Sequence, residues 1–184
     1  MFLHGIGSTA NPPILGLDAV APAGTVEKYK DSASINFSGG NPWKEVGTWS
    51  SVPGSTQGHL SGTSRATAWL GLKNSDDQGT QFDLRVELYR NGMLVAAGEN
   101  RCIGNITRNA THAKPIAVSI PTLTPADFDG SSDVLAMRYL TRVGTNPDST
   151  KCSGPGGSHN NAAGLRVYFD AVTRPAELEL LGGQ

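Results

Sequence analysis

Residues 80–99 read TQFDLRVELYRNGMLVAAGE, and this stretch decides the fold. Phe82, Leu84, Val86 and Leu88 alternate with Asp83, Arg85, Glu87 and Tyr89. That period of two places one face of a strand on a core and the other in water. The alternation stops at Asn91-Gly92, a dipeptide that accepts φ > 0 at both positions and suits the type I′ turn of a tight hairpin. Met93, Leu94 and Val95 begin the return strand. Two strands cannot bury their apolar face alone, so the rest of the chain must supply a second layer against Phe82, Leu84, Val86 and Leu88.

Working outward, short strands recur between Gly, Pro and Asn turns. Phe2-Leu3, ILGLDAV (14–20), Ile35–Phe37, WKEVGTWS (43–50), a weak segment around His59-Leu60, PIAVSIPTL (115–123), DVLAMRYLTRVG (133–144) and LRVYFDAV (165–172) all read this way. In ATAWLGLK (66–73), Ala66, Ala68, Leu70 and Leu72 share one face, and Trp69 lies on the other with Thr67 and Gly71. TPADFDGSSD (124–133) reads as a short helical turn with Thr124 as N-cap and Pro125 at N1. Residues 145–162 form the longest loop. No apolar stripe of period 3.6 persists over three turns. About nine short strands at these spacings predict an all-β, antiparallel β-sandwich of jelly-roll type, in one domain. The ends, 1–13 and 174–184, carry short apolar strands on polar tethers, which either complete the chain's own sheet, the favoured reading, or exchange with another copy.

Composition narrows the function. The chain has 184 residues, with 23 glycines, 11 prolines and 17% charged residues, below the usual quarter. A net charge of −1 without Lys/Arg runs gives no broad attraction for nucleic acid or anionic lipid. Nothing approaches an 18-residue apolar run, so no membrane span is expected. The start, MFLHGIGSTANPP, lacks the basic and apolar regions of a signal peptide, so export signals precede this numbering or the chain reaches its site by another route, such as a virus particle. Low charge with abundant Ser, Thr, Asn and Gly suggests an extracellular or cell-surface protein.

Cys102 and Cys152 lie 50 positions apart in RCIGN and KCSGPGG, and read as a disulfide between two loops. Closing a loop of that length is worth about 4 kcal/mol in the chain-entropy picture. The four histidines, His4, His59, His112 and His159, fall in different loops or ends without HxH or HExxH spacing, and no GxSxG elbow is present, so neither transition-metal nor serine-hydrolase chemistry is indicated. No cofactor is required. The carboxylates Asp18, Asp76, Asp77 and Asp170, with Asp127 and Asp129, are candidates for a structural calcium, because Ca²⁺ takes six to eight oxygens and sandwich loops supply carbonyls. Turn formation and solvation are the plainer reading of these residues. Trp43, Trp49, Trp69, Tyr89 and Tyr168 are candidates for a sugar-stacking platform, against ordinary core burial. Asn36, Asn105 and Asn109 stand in N-x-[ST] sequons.

WLGLKNSDDQGTQFDLRVELYRNG, RCIGNITRN, LTRVGTNPDSTKCSGPGGSHNNA and LRVYFDAVTRP together resemble an uncharacterised domain of secreted bacterial proteins. More loosely, YFDAV is similar to the last strand of jelly-roll carbohydrate-binding modules, in which an Asp at the place of Asp170 can ligate structural calcium; the tandem acidic residue often seen there is Ala171 here. The expectation is a non-catalytic extracellular module, structural or adhesive. Its partners would be a glycan, recognised by exposed aromatics, or other copies of itself in a surface filament or virion.

Overall fold

The computed structural model describes residues 1–153 and 159–181. It is an all-β sandwich. The opening hairpin forms as expected, with β8 (Phe82–Arg90) and β9 (Met93–Ile103) joined at Asn91 (φ 49°) and Gly92 (φ 81°), both left-handed as a type I′ turn requires. The remaining strands, in chain order, are β1 (Phe2–Ile6), β2 (Ile14–Asp18), β3 (Lys28–Asp31), β4 (Ile35–Asn36), β5 (Lys44–Ser50), β6 (Gln57–Leu60), β7 (Thr63–Leu72), β10 (Lys114–Pro121), β11 (Ala126–Asp129), β12 (Leu135–Val143), β13 (Asn161–Ala162), β14 (Leu165–Phe169) and β15 (Glu177–Glu179). The short strands β3, β11 and β13 escape the sequence pattern, whereas β15 is the strand expected in the 174–184 end. The helical turn expected over 124–133 is instead β11, because Ala126 and Phe128 alternate into the core while Asp127 and Asp129 face out, paired with β6.

The strand order β3-β14-β7-β15-β1-β2-β5-β12-β8-β9 is continuous, with β10 on the other side of β7. Every pairing of named strands is antiparallel except that of β2 with β5, at Gly16 and Ser50. Strand β7 is long enough to serve β10 along one edge and, on its other edge, β14 at its C-terminal part and β15 at its N-terminal part. The chain's two ends therefore pair inside its own sheet: Leu3 N–H donates to Ala176 C=O, Leu178 N–H to Met1 C=O, and the N-terminal amine to Leu178 C=O at 2.6 Å.

Between the layers lies one core, to which Phe82, Leu84, Val86 and Leu88 of β8, Leu135, Met137, Tyr139 and Val143 of β12, and Leu165, Val167 and Phe169 of β14 each contribute a fully buried face. A bulge in β5, where the register against β12 shifts between Tyr139 and Leu140, lets both Val46 and Trp49 turn inward. Trp49 meets Tyr139 and Phe169 edge to face, with ring centroids 5.6 and 5.1 Å away. Phe169 comes from the sheet half opposite β5 and β12, so this trio ties the layers together. At the far seam β9 and β10 come so close that a Cβ at Gly98 would sit 1.9 Å from Ser119 C=O; only glycine allows the contact. The outer edge of β3 is likewise covered, by Asn11 N–H donating to Tyr29 C=O and Tyr29 N–H to Thr9 C=O.

Truncating Trp49 to alanine is expected to cost about 3–5 kcal/mol, since a fully enclosed aromatic bridging two layers leaves a cavity neither layer can close. Urea unfolding of Trp49→Ala measures this; a loss below about 1 kcal/mol would show that the trio does not hold the layers.

Candidate functional site

Of the five aromatics proposed for a sugar platform, the fold places Trp69 and Tyr168 side by side and the others elsewhere. Trp49 is enclosed in the core. Trp69 and Tyr168 are opposite one another on β7 and β14, and Tyr29 of β3 completes the row on the other side of Tyr168. Tyr168 is nonetheless buried, its hydroxyl donating to Arg108 C=O at 3.2 Å under the 104–113 loop, and the Arg166 guanidinium covers Tyr29 at 3.6 Å. Trp43 lies beneath the Arg142 guanidinium, 4.3 Å from the ring centroid. Tyr89 lies beneath Arg138 at 4.8 Å, its hydroxyl donating to Glu87 at 2.6 Å. Ala136, opposite Tyr89, and Arg142, over Trp43, stand at opposite ends of β12. Trp49 and Tyr168 are thus buried, an arginine lies over each of Trp43 and Tyr89, and Trp69 is partly buried against the core.

The calcium candidates are also placed apart. Asp76 is exposed in the 3₁₀ turn Ser75–Asp77, whereas Asp77 is buried and accepts from Ala163 N–H at 2.9 and 3.0 Å. Asp18 and Asp170 do approach each other, but through His4: its Nδ1 faces Asp170 at 2.8 Å and its Nε2 faces Asp18 at 3.3 Å and Val20 C=O at 2.9 Å. Lys28 pairs with Asp170 at 2.7 Å and also donates to Gly5 C=O, while Gly5 N–H donates to Asp170. Burial pushes the Asp170 carboxyl upward; Lys28, His4 and the Gly5 N–H outweigh it and hold the group below the usual carboxylate range. Asp127 pairs with His59 at 2.6 Å, and Asp129 accepts the N–H groups of Ser131, Ser132 and Asp133, which hold it well below that range. Among the described residues no three His, Cys, Asp or Glu side chains converge as a metal site would need.

The outward face of β8 was expected to be solvated, and here the structure corrects the sequence. Asp83 is fully buried and Glu87 nearly so. Asp83 accepts from Arg142 Nε (2.9 Å), Thr145 Oγ1 (2.7 Å), Thr145 N–H (3.0 Å) and Cys102 N–H (3.0 Å). Glu87 accepts from Arg85 at 2.8 Å, Tyr89 at 2.6 Å and Arg138 at 2.6 Å. Burial works upward on the Glu87 carboxyl, but the Tyr89 and Arg138 hydrogen bonds prevail and lower it; the same contact with burial pushes the Tyr89 phenol up to about 12. Long arginine stems from the neighbouring strands seal these carboxylates, so a charged residue on an outer face becomes a buried one.

Cys102 and Cys152 form a disulfide, with Cα atoms 5.7 Å apart. Cys102 does not sit in a loop as expected. It belongs to β9 at a bulge, with φ 53°, where Asp83 stands opposite two residues of the partner strand and takes the Cys102 N–H. Cys152 is buried and its N–H donates to Gly144 C=O, while Gly144 N–H donates to Gln81 C=O. Residues 154–158 of the Gly-rich segment after Cys152 lie outside the described residues.

Beside the disulfide opens a cleft of about 620 Å³. Gln78 and Gln81 line it from the segment before β8, Cys102 from the end of β9, Asn105 and Thr107 from the chain after β9, and Lys114 from the start of β10. Lys114 Nζ donates one hydrogen bond, to Gly104 C=O at 2.6 Å. Among the described residues no carboxylate lines the cleft. Its volume lies within the usual range of small-molecule sites. Sequence reasoning passed over it because its amide side chains come from two loops that no motif connects; the one available signal was the cysteine at its wall.

No family model matches the chain, and no curated protein matches it. The solved structure of a CocE/NonD family hydrolase from Staphylococcus aureus matches with 10% identity and a TM-score of 0.48, over 88% of this chain and 33% of that one. The chain thus spans about a third of that protein's length. Among the described residues no helix is long and apolar enough to cross a membrane.

Replacing Asp83 by asparagine is expected to cost about 3 kcal/mol, because the Arg142 charge is left facing a neutral group that also loses an acceptor; an Asp83→Asn variant with wild-type denaturation midpoint would remove the carboxylate from this role. A second expectation concerns acid. Asp170, Glu87, Asp129 and Asp133 are all held below their ordinary values in the folded chain. Their contribution is complete above the unfolded carboxylate pKa of about 4 and is lost as pH falls through the lower folded values. Thermal unfolding followed from pH 7 to pH 2 should hold nearly level to about pH 4 and then drop; a midpoint that rises below pH 4 would contradict it.

Proposed function

We propose that this chain is a non-catalytic extracellular adhesive module, a braced β-sandwich whose recognition site is the cleft beside the Cys102–Cys152 disulfide. The cleft carries the reading: it is large enough for a small ligand, lined by amide and hydroxyl groups that recognise without reacting, and fixed in shape by a covalent bond and the Asp83 contacts. A disulfide in a small sandwich suits an oxidising location. The titratable groups favour this reading over an enzymatic one, because His4, His59, Asp83, Glu87 and Asp170 are each engaged in holding strands rather than facing the cleft. The alternative of assembly by strand exchange is less well supported by the geometry. Both terminal strands lie within the sheet, and drawing either out breaks pairs to two neighbours, β15 and β2 for β1, and β7 and β1 for β15.

The test is retention of the purified chain on insoluble polysaccharides, cell-wall preparations and a glycan array, alongside a panel of ester, amide and glycoside substrates. Retention without turnover is expected, and retention should be lost in Gln78→Trp, which fills the mouth of the cleft from an exposed position. Product release, or retention that Gln78→Trp leaves intact, would overturn the reading.

A further inference from the structure

The reading of the cleft as a recognition site leaves its ligand open, and the chemistry of its lining narrows the class. From Asn100 to Ala126 the chain carries Arg101, Arg108 and Lys114 and no Asp or Glu, in a protein whose overall charge is −1. This segment supplies one wall of the cleft, and the opposite wall, Gln78 to Gln81, carries no charge. The nearest acids are turned elsewhere. Asp77 faces Ala163 N–H, Asp83 is enclosed by Arg142, Thr145 and Cys102, and Asp76 is on the outside of its turn. Among the described residues Lys114 is thus the one charged side chain lining the cleft, and its ammonium has given one of three donors to Gly104 C=O.

We propose that the cleft binds a polyhydroxylated ligand bearing a carboxylate, of the uronic-acid type, with the carboxylate on Lys114 and the hydroxyls on the amides of Gln78 and Asn105. An anion gains from Lys114 without meeting an opposing carboxylate, and a charge-assisted contact to an ammonium is about twice as strong as a neutral one. A simple anion would use only the donors of the remaining lining and leave its acceptors idle. Gln78, Asn105 and Thr107 offer both donors and acceptors, as sugar hydroxyls do, and Ile106 and the disulfide add apolar surface for the ring carbons. A cationic ligand would meet Lys114 with nothing to offset it. Gly104 C=O already holds the ammonium in place, so the anchor is positioned before ligand arrives.

Calorimetric titration of the full chain with an oligogalacturonate tests this, against a neutral glucan oligosaccharide of equal length, free galacturonate, acetate and an acidic peptide. The oligogalacturonate or free galacturonate should bind, weakening as salt rises, with the neutral oligosaccharide at least tenfold weaker. Lys114→Gln, which removes the charge and keeps a polar side chain, should lose at least tenfold with the urea midpoint checked alongside it, and Lys114→Arg should restore much of the binding. The oligomer binding far more tightly than the monosaccharide would identify a polysaccharide as the source; equal binding would identify the free sugar acid. Acetate or the acidic peptide binding as well as the uronate would overturn the ligand class, as would uronate binding indifferent to Lys114→Gln. No uronate binding by a wild-type chain that still adheres in the retention assay would overturn the class while leaving the adhesive reading standing.

Discussion

Asp83 is a carboxylate with no access to water, and the structure around it is organised by the need to satisfy it. Leaving such a group unpaired would cost several kcal/mol. Four donors converge on it from three parts of the chain: Arg142 of β12, Cys102 of β9, and the backbone and hydroxyl of Thr145 beyond β12. Because Arg142 also donates to Thr145 Oγ1 at 2.9 Å, these two partners are locked to each other as well as to the carboxylate. The bulge at Cys102 exists in this setting: one residue of β8 faces two of β9, and the N–H released from the regular ladder is the one Asp83 takes. That bulge turns the Cys102 side chain toward Cys152, so the ion pair, the strand irregularity and the covalent link form one unit.

How this frame was hidden follows from what alternation can and cannot say. The pattern Phe82-x-Leu84-x-Val86-x-Leu88 established the hairpin, its turn and its inward face, and Ala66 to Leu72 and Leu135 to Val143 were legible on the same ground, each with its apolar face buried as read. Alternation assigns the other face to water by default. Asp83 and Glu87 defeat that default because Arg142 and Arg138 reach across from β12 to cover them, a fact that depends on register and not on local sequence. Strands β3 and β11 were missed for a related reason. KYKD has no apolar alternation, and ADFD places only Ala126 and Phe128 inward beside a proline that reads equally well as a helix start. The disulfide was legible from its cysteine count and spacing, but the bulge that positions Cys102 was not.

The site was less legible than the fold. Aromatics and carboxylates were singled out by residue type, and the fold gives most of them bracing roles. Trp49 joins the layers, Tyr89 and Trp43 carry arginines, Asp170 joins β1 to β3 through His4 and Lys28, and Asp77 anchors the backbone at Ala163. Residue types suited to recognition are equally suited to cross-bracing, and in a chain with few charged groups the fold takes most of them. The cleft proposed for recognition is lined mainly by amides, which come together only once Gln78 and Gln81 are seen across from Asn105 and Lys114.

The bracing and the cleft are physically connected. A site made from loops is imprecise unless something fixes those loops, since loops carry few backbone pairs of their own. Here the chain after β9 is held by Cys102, by the Asp83 contact to its N–H and by Lys114 reaching back to Gly104 C=O, while Leu72 N–H donates to Thr107 C=O from the end of β7. The facing wall is held where Gly144 N–H takes Gln81 C=O, one residue from the loop that leads to Cys152. Both walls therefore end on the same buried cluster. A change that loosens Asp83 or opens the disulfide would reach the cleft as a change of shape before the core gave way, because the Trp49, Tyr139 and Phe169 contacts that hold the layers lie apart from that cluster and share no residue with it.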